Sequence, residues 1–294
     1  MSHALPQREL DASSLRGWPL PSLDDGIDKE QRGSVLIVAG SLEIPGAAIL
    51  SATAAARAGA GKLLIAAPES AAPGIALAMP EARVIGLKEN ADGELATGAV
   101  RQLAGFGSSL NAALIGPGLR SGSATARFAA KLLPHFSHIP VVLDAAAMDA
   151  VMQMGRFEQS VLLTPHCGEM AHLTGQQKEA LSGMAAEAAG HYAGRWQAIV
   201  ALKGATTWIA EPGSALLRHA GGHPGLATSG SGDVLAGIIA GLAARGATLA
   251  QACAWGVVVH SLAGARLAKR IAPLGYLARE LLPEIPGVIA ELQG

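Results

Sequence analysis

The alternation of apolar strands with an Ala-rich helix is the feature that most restricts the folds open to this chain. Residues 34–39 have the composition of a buried strand, residues 47–58 of a helix, and residues 62–67 of a second buried strand. A helix between two such strands forms a βαβ unit, in which the strands pair in parallel. The pattern predicts an α/β fold with a mostly parallel central sheet flanked by helices on both faces.

Further elements of the same kind follow along the chain. Strands are expected at 81–87, 112–115, 140–143, 161–163 and 198–202, with a hairpin formed by 207–210 and 215–219. Helices are expected at 94–106, 123–133 and 147–154, in two stretches between 169 and 198, at 231–245, at 249–270 and near Leu281. Residues 1–32 have the pattern of an extended lead-in. Because no linker or repeat divides the chain, residues 1–294 are predicted to form a single domain.

Several of the predicted strands end in glycine or polar residues. The sequences at these ends are Gly40-Ser41, Gly116-Pro117-Gly118, Asp144, Thr164-Pro165-His166 and Lys203-Gly204. In an open parallel sheet, ligands bind in the crevice outside the carboxyl ends of the strands. We therefore expect these residues to converge on one site.

A glycine-rich junction with a single acid precedes the helix at 231–245. Gly230, Ser231 and Gly232 lead into this helix, and Asp233 lies in its first turn. Unpaired N–H groups at a helix start favour an anion such as phosphate, and glycines allow its close approach, with a positive φ expected at Gly232. Asp233 has the position of a general base that takes a proton from a hydroxyl group while the amides of Gly230 to Gly232 hold the phosphoryl group under attack. From spacing alone, a carboxylate that caps the helix or acts as a favourable partner of its dipole is an equal alternative.

The composition and the lack of other motifs exclude several classes of protein. The formal net charge is −1 and no basic run occurs, so neither nucleic acid nor an anionic membrane is an expected partner. Cys167 and Cys253 are too few for a disulfide framework or a zinc cluster, and the first 20 residues do not match a signal peptide, which favours a cytoplasmic location. A P-loop is absent, and residues 225–232 do not follow an apolar strand as a Rossmann fingerprint requires.

Eight segments of the chain occur in the order that is typical of one known family. They are 33–41 (GSVLIVAGS), 45–47 (PGA), 57–61 (RAGAG), 115–119 (IGPGL), 163–166 (LTPH), 168–169 (GE), 202–206 (LKGAT) and 225–237 (GLATSGSGDVLAG). In this combination the chain resembles the ADP/ATP-dependent NAD(P)H-hydrate dehydratases of the ribokinase-like superfamily, over residues from about 29 to 286.

The resemblance implies a ribokinase-like domain that converts NADH or NADPH hydrate to NAD(P)H and consumes ADP, with AMP and phosphate as products. By motif, Ala47, Gly118, His166 and Asp233 match positions that contact the hydrate, whereas Lys203, Gly204, Ala205, Thr206, Thr207 and Gly232 match positions that hold the adenine nucleotide. The resemblance also implies Mg²⁺ on the nucleotide phosphates rather than in a protein cage, a homotetramer, and a separate NAD(P)H-hydrate epimerase.

The chain departs from the family pattern at three places. An Asp-Ala-Asp-Ala-Leu stretch is here Asp144-Ala-Ala146-Ala-Met148, so one of two carboxylates is missing; Cys167 replaces a proline; and Ala278-Arg279-Glu280 replaces Ala-Ser-Asp. The role of Asp144 stays open at this point, as a residue that orders the loop or a water near the metal. Glu169 is read as a helix-dipole partner and Cys167 as a packing residue.

Two other functions remain as alternatives. The first is a small-molecule kinase of the same superfamily, of the hydroxyethylthiazole or pyridoxal type, and the second is a non-catalytic nucleotide-binding module. Residues 45–47 and 164–166 favour the dehydratase over the kinase. An acid beside the anion site argues against a purely binding module, which has no use for a base there.

Overall fold

A ten-stranded sheet organises the computed structural model, which describes residues 6–22 and 32–294. The strands are β1 (Gln7–Glu9), β2 (Ser34–Val38), β3 (Lys62–Pro68), β4 (Ala82–Leu87), β5 (Ala112–Ile115), β6 (Val141–Leu143), β7 (Val161–Leu163), β8 (Ile199–Leu202), β9 (Thr207–Ala210) and β10 (Leu216–His219). Their spatial order is β1-β10-β9-β8-β7-β6-β5-β2-β3-β4. Only β9 pairs antiparallel with its neighbours, β8 and β10, so the prediction of a mostly parallel sheet is confirmed.

Helices cover both faces of this sheet. They are α1 (Ala12–Arg16), α2 (Pro45–Arg57), α3 (Ala72–Ala78), α4 (Val100–Leu103), α5 (Ser123–Leu132), α6 (Ala150–Met154), α7 (Cys167–Thr174), α8 (Lys178–Gly183), α9 (Ala185–Trp196), α10 (Ser231–Ala244), α11 (Leu249–Arg270), α12 (Ala278–Leu281) and α13 (Glu284–Gln293). Val35 and Ile37 of β2 pack in one buried cluster with α2, α10 and α11, whereas Leu36 and Val38 pack in a second cluster with α5 and α9. The strand is apolar at successive positions because both of its faces are buried. No helix in the described part of the chain has the length and hydrophobicity needed to cross a bilayer.

The backbone of helix α10 packs closely against the backbone of helix α2. A Cβ atom on Gly237 would clash with the carbonyl oxygen of Ser51, and one on Gly241 would lie only 2.5 Å from that of Ala55. The Ser51 hydroxyl donates a hydrogen bond to the carbonyl oxygen of Asp233 over 3.1 Å. This close packing fixes the start of α10 beside the first turns of α2.

The close packing predicts a stability cost for any side chain at Gly237. We expect Gly237→Ala to lower the free energy of unfolding by about 1–3 kcal/mol, because the methyl group forces the two helices apart. Gly194→Ala is the matched control, since Gly194 lies on the exposed side of α9, where an added methyl group would meet no atom within 4 Å, and alanine there stabilises a helix by about 1 kcal/mol. Chemical denaturation of both variants tests the packing; a Gly237→Ala variant as stable as the control would contradict it.

Several predictions about secondary structure need correction. The two helices expected between 169 and 198 are three (α7, α8 and α9), the helix expected at 147–154 begins as a 3₁₀ turn, and α13 was not predicted. The lead-in contains the strand β1, which pairs with β10, and the helix α1, whose first turn is capped by Asp11; residues 1–5 and 23–31 of the lead-in lie outside the described residues. The helix expected at 94–106 is wrong in its extent, because Leu95 pairs with Glu89 and 3₁₀ turns flank the four residues of α4. Gly98 and Gly105 weaken the helix there. Helix α3 was not predicted because Pro73-Gly74 has the pattern of a turn, although proline is tolerated in a first helical turn.

Candidate active site

Three of the predicted strand ends meet at one edge of the sheet. Asp144 follows β6, His166 follows β7, and Lys203 follows β8, and these three strands are neighbours. His166 and Lys203 form a parallel bridge, and the backbone N–H of Lys203 donates to the carbonyl oxygen of Pro165 over 2.8 Å. The predicted convergence of these strand ends is therefore present in the fold.

Lys203 and two carboxylates form a network at this edge. The Nζ atom of Lys203 lies 3.3 Å from Oδ1 of Asp144 and 3.9 Å from Oε2 of Glu169. The Thr164 hydroxyl donates to the same Oδ1 atom over 2.6 Å. Burial favours the neutral amine, but the two carboxylates outweigh it and raise the pKa of Lys203. Lys203 thus presents a permanent ammonium group to the site.

Asp233 lies in the first turn of α10 as predicted. Burial, together with the charge of Asp144, raises the pKa of its carboxyl group from 3.8 to about 7, although Lys203 acts in the opposite direction. Within the described residues, the carboxylate accepts no hydrogen bond, and the start of α10 has no side-chain cap. A hydrogen-bonded cap by Asp233 is therefore absent from the described residues, and the carboxylate has the proton affinity that suits a general base near neutral pH.

The glycines before Asp233 shape the start of α10. Gly230 has a φ of +86°, whereas Gly232 is not among the residues with positive φ, so the positive φ expected at Gly232 occurs two residues earlier. A Cβ atom on Gly230 would lie 2.5 Å from Cδ1 of Leu50, and one on Gly232 would lie 3.5 Å from Nζ of Lys203. The ammonium group and the open end of α10 thus face the same space, a combination that suits a phosphate group.

A cavity of about 630 Å³ opens beside Lys203 and α10, a size that accommodates a nucleotide. Six of the eight residues predicted to hold the nucleotide or its phosphate line it: Lys203, Gly204, Ala205, Thr207, Ser231 and Gly232. His166 lines it as well, whereas Thr206 and Gly230 lie next to lining residues in the chain. Among the described residues, Lys203 alone of the lysines and arginines lines this cavity.

The wall of the cavity contains histidine, glycine and serine residues that the sequence analysis did not identify. His219, Gly221, Gly222, His223, His260 and Ser261 belong to this wall. The Ser231 hydroxyl and Nε2 of His260 lie 2.9 Å apart, and burial lowers the pKa of His260 to about 4, so its ring is neutral at pH 7. The glycine-rich run between His219 and His223 was a signal for a close ligand approach that could have identified part of this wall.

Ala47 and Gly118 lie together at a different point of the same sheet edge. They follow the neighbouring strands β2 and β5, and a Cβ atom on Gly118, which has a φ of +66°, would lie 2.5 Å from the Cβ atom of Ala47. Neither residue lines the cavity described above. The fold therefore places the four residues predicted to contact the hydrate at three points: Ala47 with Gly118, His166 beside Lys203, and Asp233 on α10, which packs against α2.

A second cavity of about 760 Å³ adjoins the first and shares His166 with it. Gly168, Glu169, Ala145 and Ala146 also line this cavity. His166 accepts a hydrogen bond from the backbone N–H of Glu169 over 3.0 Å, and the Glu169 carboxylate accepts one from the backbone N–H of His166 over 2.8 Å. His166 is thus held in a fixed orientation between the two cavities by a capping box.

The residues present do not fit a metal ion held by the protein alone. Over residues 6–22 and 32–294 there is no group of three or more His, Cys, Asp and Glu side chains placed to hold one. Asp144 and Glu169 lie 3.3 and 3.9 Å from the Lys203 ammonium, whose positive charge disfavours a cation bound by these two carboxylates. Any Mg²⁺ at this site must therefore take most of its ligands from phosphate and water.

Comparison with known proteins extends the likeness over the whole chain. The family model described as NAD(P)H-hydrate dehydratase matches residues 35–287. The ADP-dependent (S)-NAD(P)H-hydrate dehydratase of Xanthomonas campestris pv. campestris is 49% identical over 287 residues, which cover 97% of each chain. The bifunctional NAD(P)H-hydrate repair enzyme of Moorella thermoacetica is 37% identical, and the match covers 93% of this chain and 52% of that relative.

A solved structure agrees with these sequence relatives. The ADP/ATP-dependent NAD(P)H-hydrate dehydratase from Bacillus subtilis, co-crystallised with ATP and Mg²⁺, has a TM-score of 0.83 and 29% identity, and the match covers 99% of this chain and 100% of that one. The prediction of one ribokinase-like α/β domain is confirmed by such likenesses. On the sequence, the fold and the order of its site segments, this chain belongs to the NAD(P)H-hydrate dehydratase family.

Proposed function

We propose that this protein dehydrates the (6S)-hydrates of NADH and NADPH and consumes ADP, with AMP and phosphate as the other products. One observation carries the proposal: the Asp233 carboxylate, with no hydrogen-bond partner among the described residues and a pKa of about 7, lies beside Lys203 and a cavity of nucleotide size. The names of the relatives from Xanthomonas campestris and Bacillus subtilis support the substrate and the donor.

The chemistry requires a base and donors for a phosphoryl group. The hydroxyl group on C6 of the hydrated ring is a poor leaving group. Asp233 takes its proton, the oxygen attacks the β-phosphorus of ADP, and AMP leaves with the electron pair of the broken P–O bond. The C6–O bond then breaks, phosphate leaves with that electron pair, and loss of a proton from C5 restores the C5–C6 double bond.

Each site residue has a part in this scheme. The Lys203 ammonium and the amides of Gly230, Ser231 and Gly232 stabilise the negative charge on the migrating phosphoryl group. The loop from Lys203 to Thr207, including Gly204, Ala205 and Thr206, holds the adenine nucleotide. Ala47, Gly118 and His166 contact the hydrate. Mg²⁺ would neutralise charge on the nucleotide phosphates, and the described part of the protein supplies no cage for it.

A direct assay tests the reaction. Aged NADH that contains the hydrate is incubated with the protein and ADP, and the absorbance of the reduced nicotinamide is followed. Recovery of absorbance that depends on both ADP and the protein is the expected result. A stable phosphorylated hydrate without recovery would instead indicate the kinase alternative, and binding of ADP without any turnover would indicate a binding module.

The choice of donor follows from the charge around the cavity. Because Lys203 is the one lysine or arginine among its described lining residues, the cavity offers little positive charge for a third phosphate. We therefore expect initial rates with ADP to exceed those with ATP at equal Mg²⁺. A marked preference for ATP would contradict the donor assignment and leave the dehydration reaction intact.

The setting of the reaction is also part of the proposal. A stereospecific dehydratase leaves the other C6 epimer unrepaired, so a separate epimerase is the expected partner. We further propose a homotetramer and a cytoplasmic location, where Cys167 and Cys253, both free thiols, remain reduced. Size-exclusion chromatography with light scattering tests the assembly; a monomer would contradict it.

A further inference from the structure

Asp144 is a buried carboxylate that the proposed mechanism does not use. Its side chain is the acceptor for both the Thr164 hydroxyl, at 2.6 Å, and the Lys203 ammonium, at 3.3 Å, and the residue is only 3% exposed. A buried acid of this kind is costly unless its partners hold it, so its position is fixed. The stretch carries Ala146 where the family has a second acid, which makes Asp144 the only carboxylate there.

The backbone around Asp144 is also fixed by close contacts. The Asp144 N–H donates to the carbonyl oxygen of Ile115 over 3.0 Å. A Cβ atom on Gly116 would clash with the carbonyl oxygen of Asp144. The next residue, Ala145, has a φ of +47°, one of two positive values among the non-glycine residues described. Such a conformation costs about 1 kcal/mol or more and persists only where the surroundings impose it.

We propose that Asp144 is a positioning residue: it holds the Lys203 ammonium against Gly232 at the start of α10 and contributes a negative charge that acts on Asp233. The distance of 3.5 Å between Nζ of Lys203 and the Cβ position of Gly232 links Asp144 to the residue next to Asp233. This inference rests on the proposed function, because it assigns to Asp144 the adjustment of the base in that reaction.

Of the polar groups around Asp233, Asp144 and Lys203 are the ones whose charges act on its carboxyl group. From α2, Ser51 contacts only the backbone carbonyl of Asp233, and from α11, the neutral His260 contacts Ser231. From α12, the Glu280 carboxylate accepts a hydrogen bond from the backbone N–H of Leu277. The charges that act on the pKa of Asp233 are those of Asp144, which raises it, and Lys203, which lowers it.

Asp144→Asn tests the inference through the pH dependence of turnover. Asparagine keeps an oxygen that accepts from Thr164 and Lys203, but it removes the negative charge. We expect the acidic limb of the kcat/KM profile, which reports ionisation of Asp233 in the free enzyme, to move to lower pH by about one unit. We also expect KM for ADP to rise severalfold, since Lys203 loses its main anchor.

Two variants separate positioning from a structural role. Glu169→Gln removes the other carboxylate near Lys203. That carboxylate does not act on the pKa of Asp233, so the acidic limb of the Glu169→Gln profile should stay in place. Thr164→Val removes a hydrogen bond to Asp144 but keeps the charge, so the acidic limb of its profile should stay as well.

Two outcomes would show that the inference is wrong. In the first, Asp144→Asn folds with a native melting transition and its acidic limb does not move. In the second, Glu169→Gln moves the limb as much as Asp144→Asn does. A wild-type protein with no ADP-dependent recovery of NADH would instead refute the proposed function. If Asp144→Asn does not fold, Thr164→Val decides. Loss of the hydroxyl releases the Asp144 carboxylate that anchors Lys203, so the inference requires a raised KM for ADP, and an unchanged KM overturns it.

Discussion

Asp233→Asn should reduce turnover by roughly two to four orders of magnitude, the range expected when a general base is removed. The amide has the shape of the carboxylate but cannot take the hydroxyl proton. Binding of ADP should change little, because the cavity is lined by Lys203 and Gly232 rather than by the Asp233 side chain. Steady-state rates of NADH recovery, together with calorimetry for ADP, measure the two effects separately.

The same substitution should stabilise the protein at neutral and alkaline pH. Because the folded protein binds the Asp233 proton more tightly than the unfolded chain, with a pKa of about 7 against 3.8, this group favours folding most at low pH. That contribution is lost as the pH rises from about 4 to about 7. The unfolding free energy of Asp233→Asn relative to wild type should therefore grow over this interval and level off above it, by an amount on the order of 1–4 kcal/mol.

These two measurements together distinguish a catalytic base from a structural cap. Asparagine caps a helix about as well as aspartate, so a cap would keep both its stability and most of its turnover on this substitution. Retention of more than about a tenth of wild-type turnover, combined with an unchanged melting temperature at pH 8, would indicate that Asp233 is a structural cap.

Gly232→Val should weaken binding of ADP and AMP by at least about tenfold while the fold is kept. A Cβ atom at this position meets Nζ of Lys203 at 3.5 Å, an ordinary contact, so the protein itself accommodates a side chain. The two methyl groups of valine, however, occupy the space between the ammonium group and the open end of α10, where the phosphate is proposed to lie. The loss thus arises in the complex and not in the free protein.

Calorimetric titration of the Val variant with ADP and with AMP measures this effect, and Gly232→Ala serves as the matched control with a smaller loss. Both variants should show melting temperatures within a few degrees of wild type, because a valine in the first helical turn costs less than about 1 kcal/mol. Unchanged affinity in a folded Gly232→Val protein would mean that the phosphate binds elsewhere.

The sequence alone was sufficient for the parallel core of the fold. The strands 112–115 and 161–163 and the helix 249–270 were predicted with the bounds that the structure shows, because fully buried strands and long helices have strong apolar patterns. The family and its order of motifs were also recognisable from local glycine and polar signatures. The short elements failed for two reasons. Strand β1 forms by pairing with the distant β10, whereas α3 and the interrupted helix around α4 contain Pro or Gly residues that have the pattern of turns.

Only the tertiary structure decided how the site residues act on one another. Asp144, Lys203 and Asp233 are separated by many residues in the sequence, and nothing in their spacing shows that one lysine lies 3.3 Å from Asp144 and beside Gly232. The pKa of Asp233 is raised by burial and by the charge of Asp144 at the end of β6. No local segment of the chain contains both causes. The part of the cavity wall around His260 was missed for the same reason, since Ser231, the hydrogen-bond partner of His260, comes from a different helix. Local patterns determine which elements form, whereas electrostatic coupling depends on distances through space that only the folded chain defines.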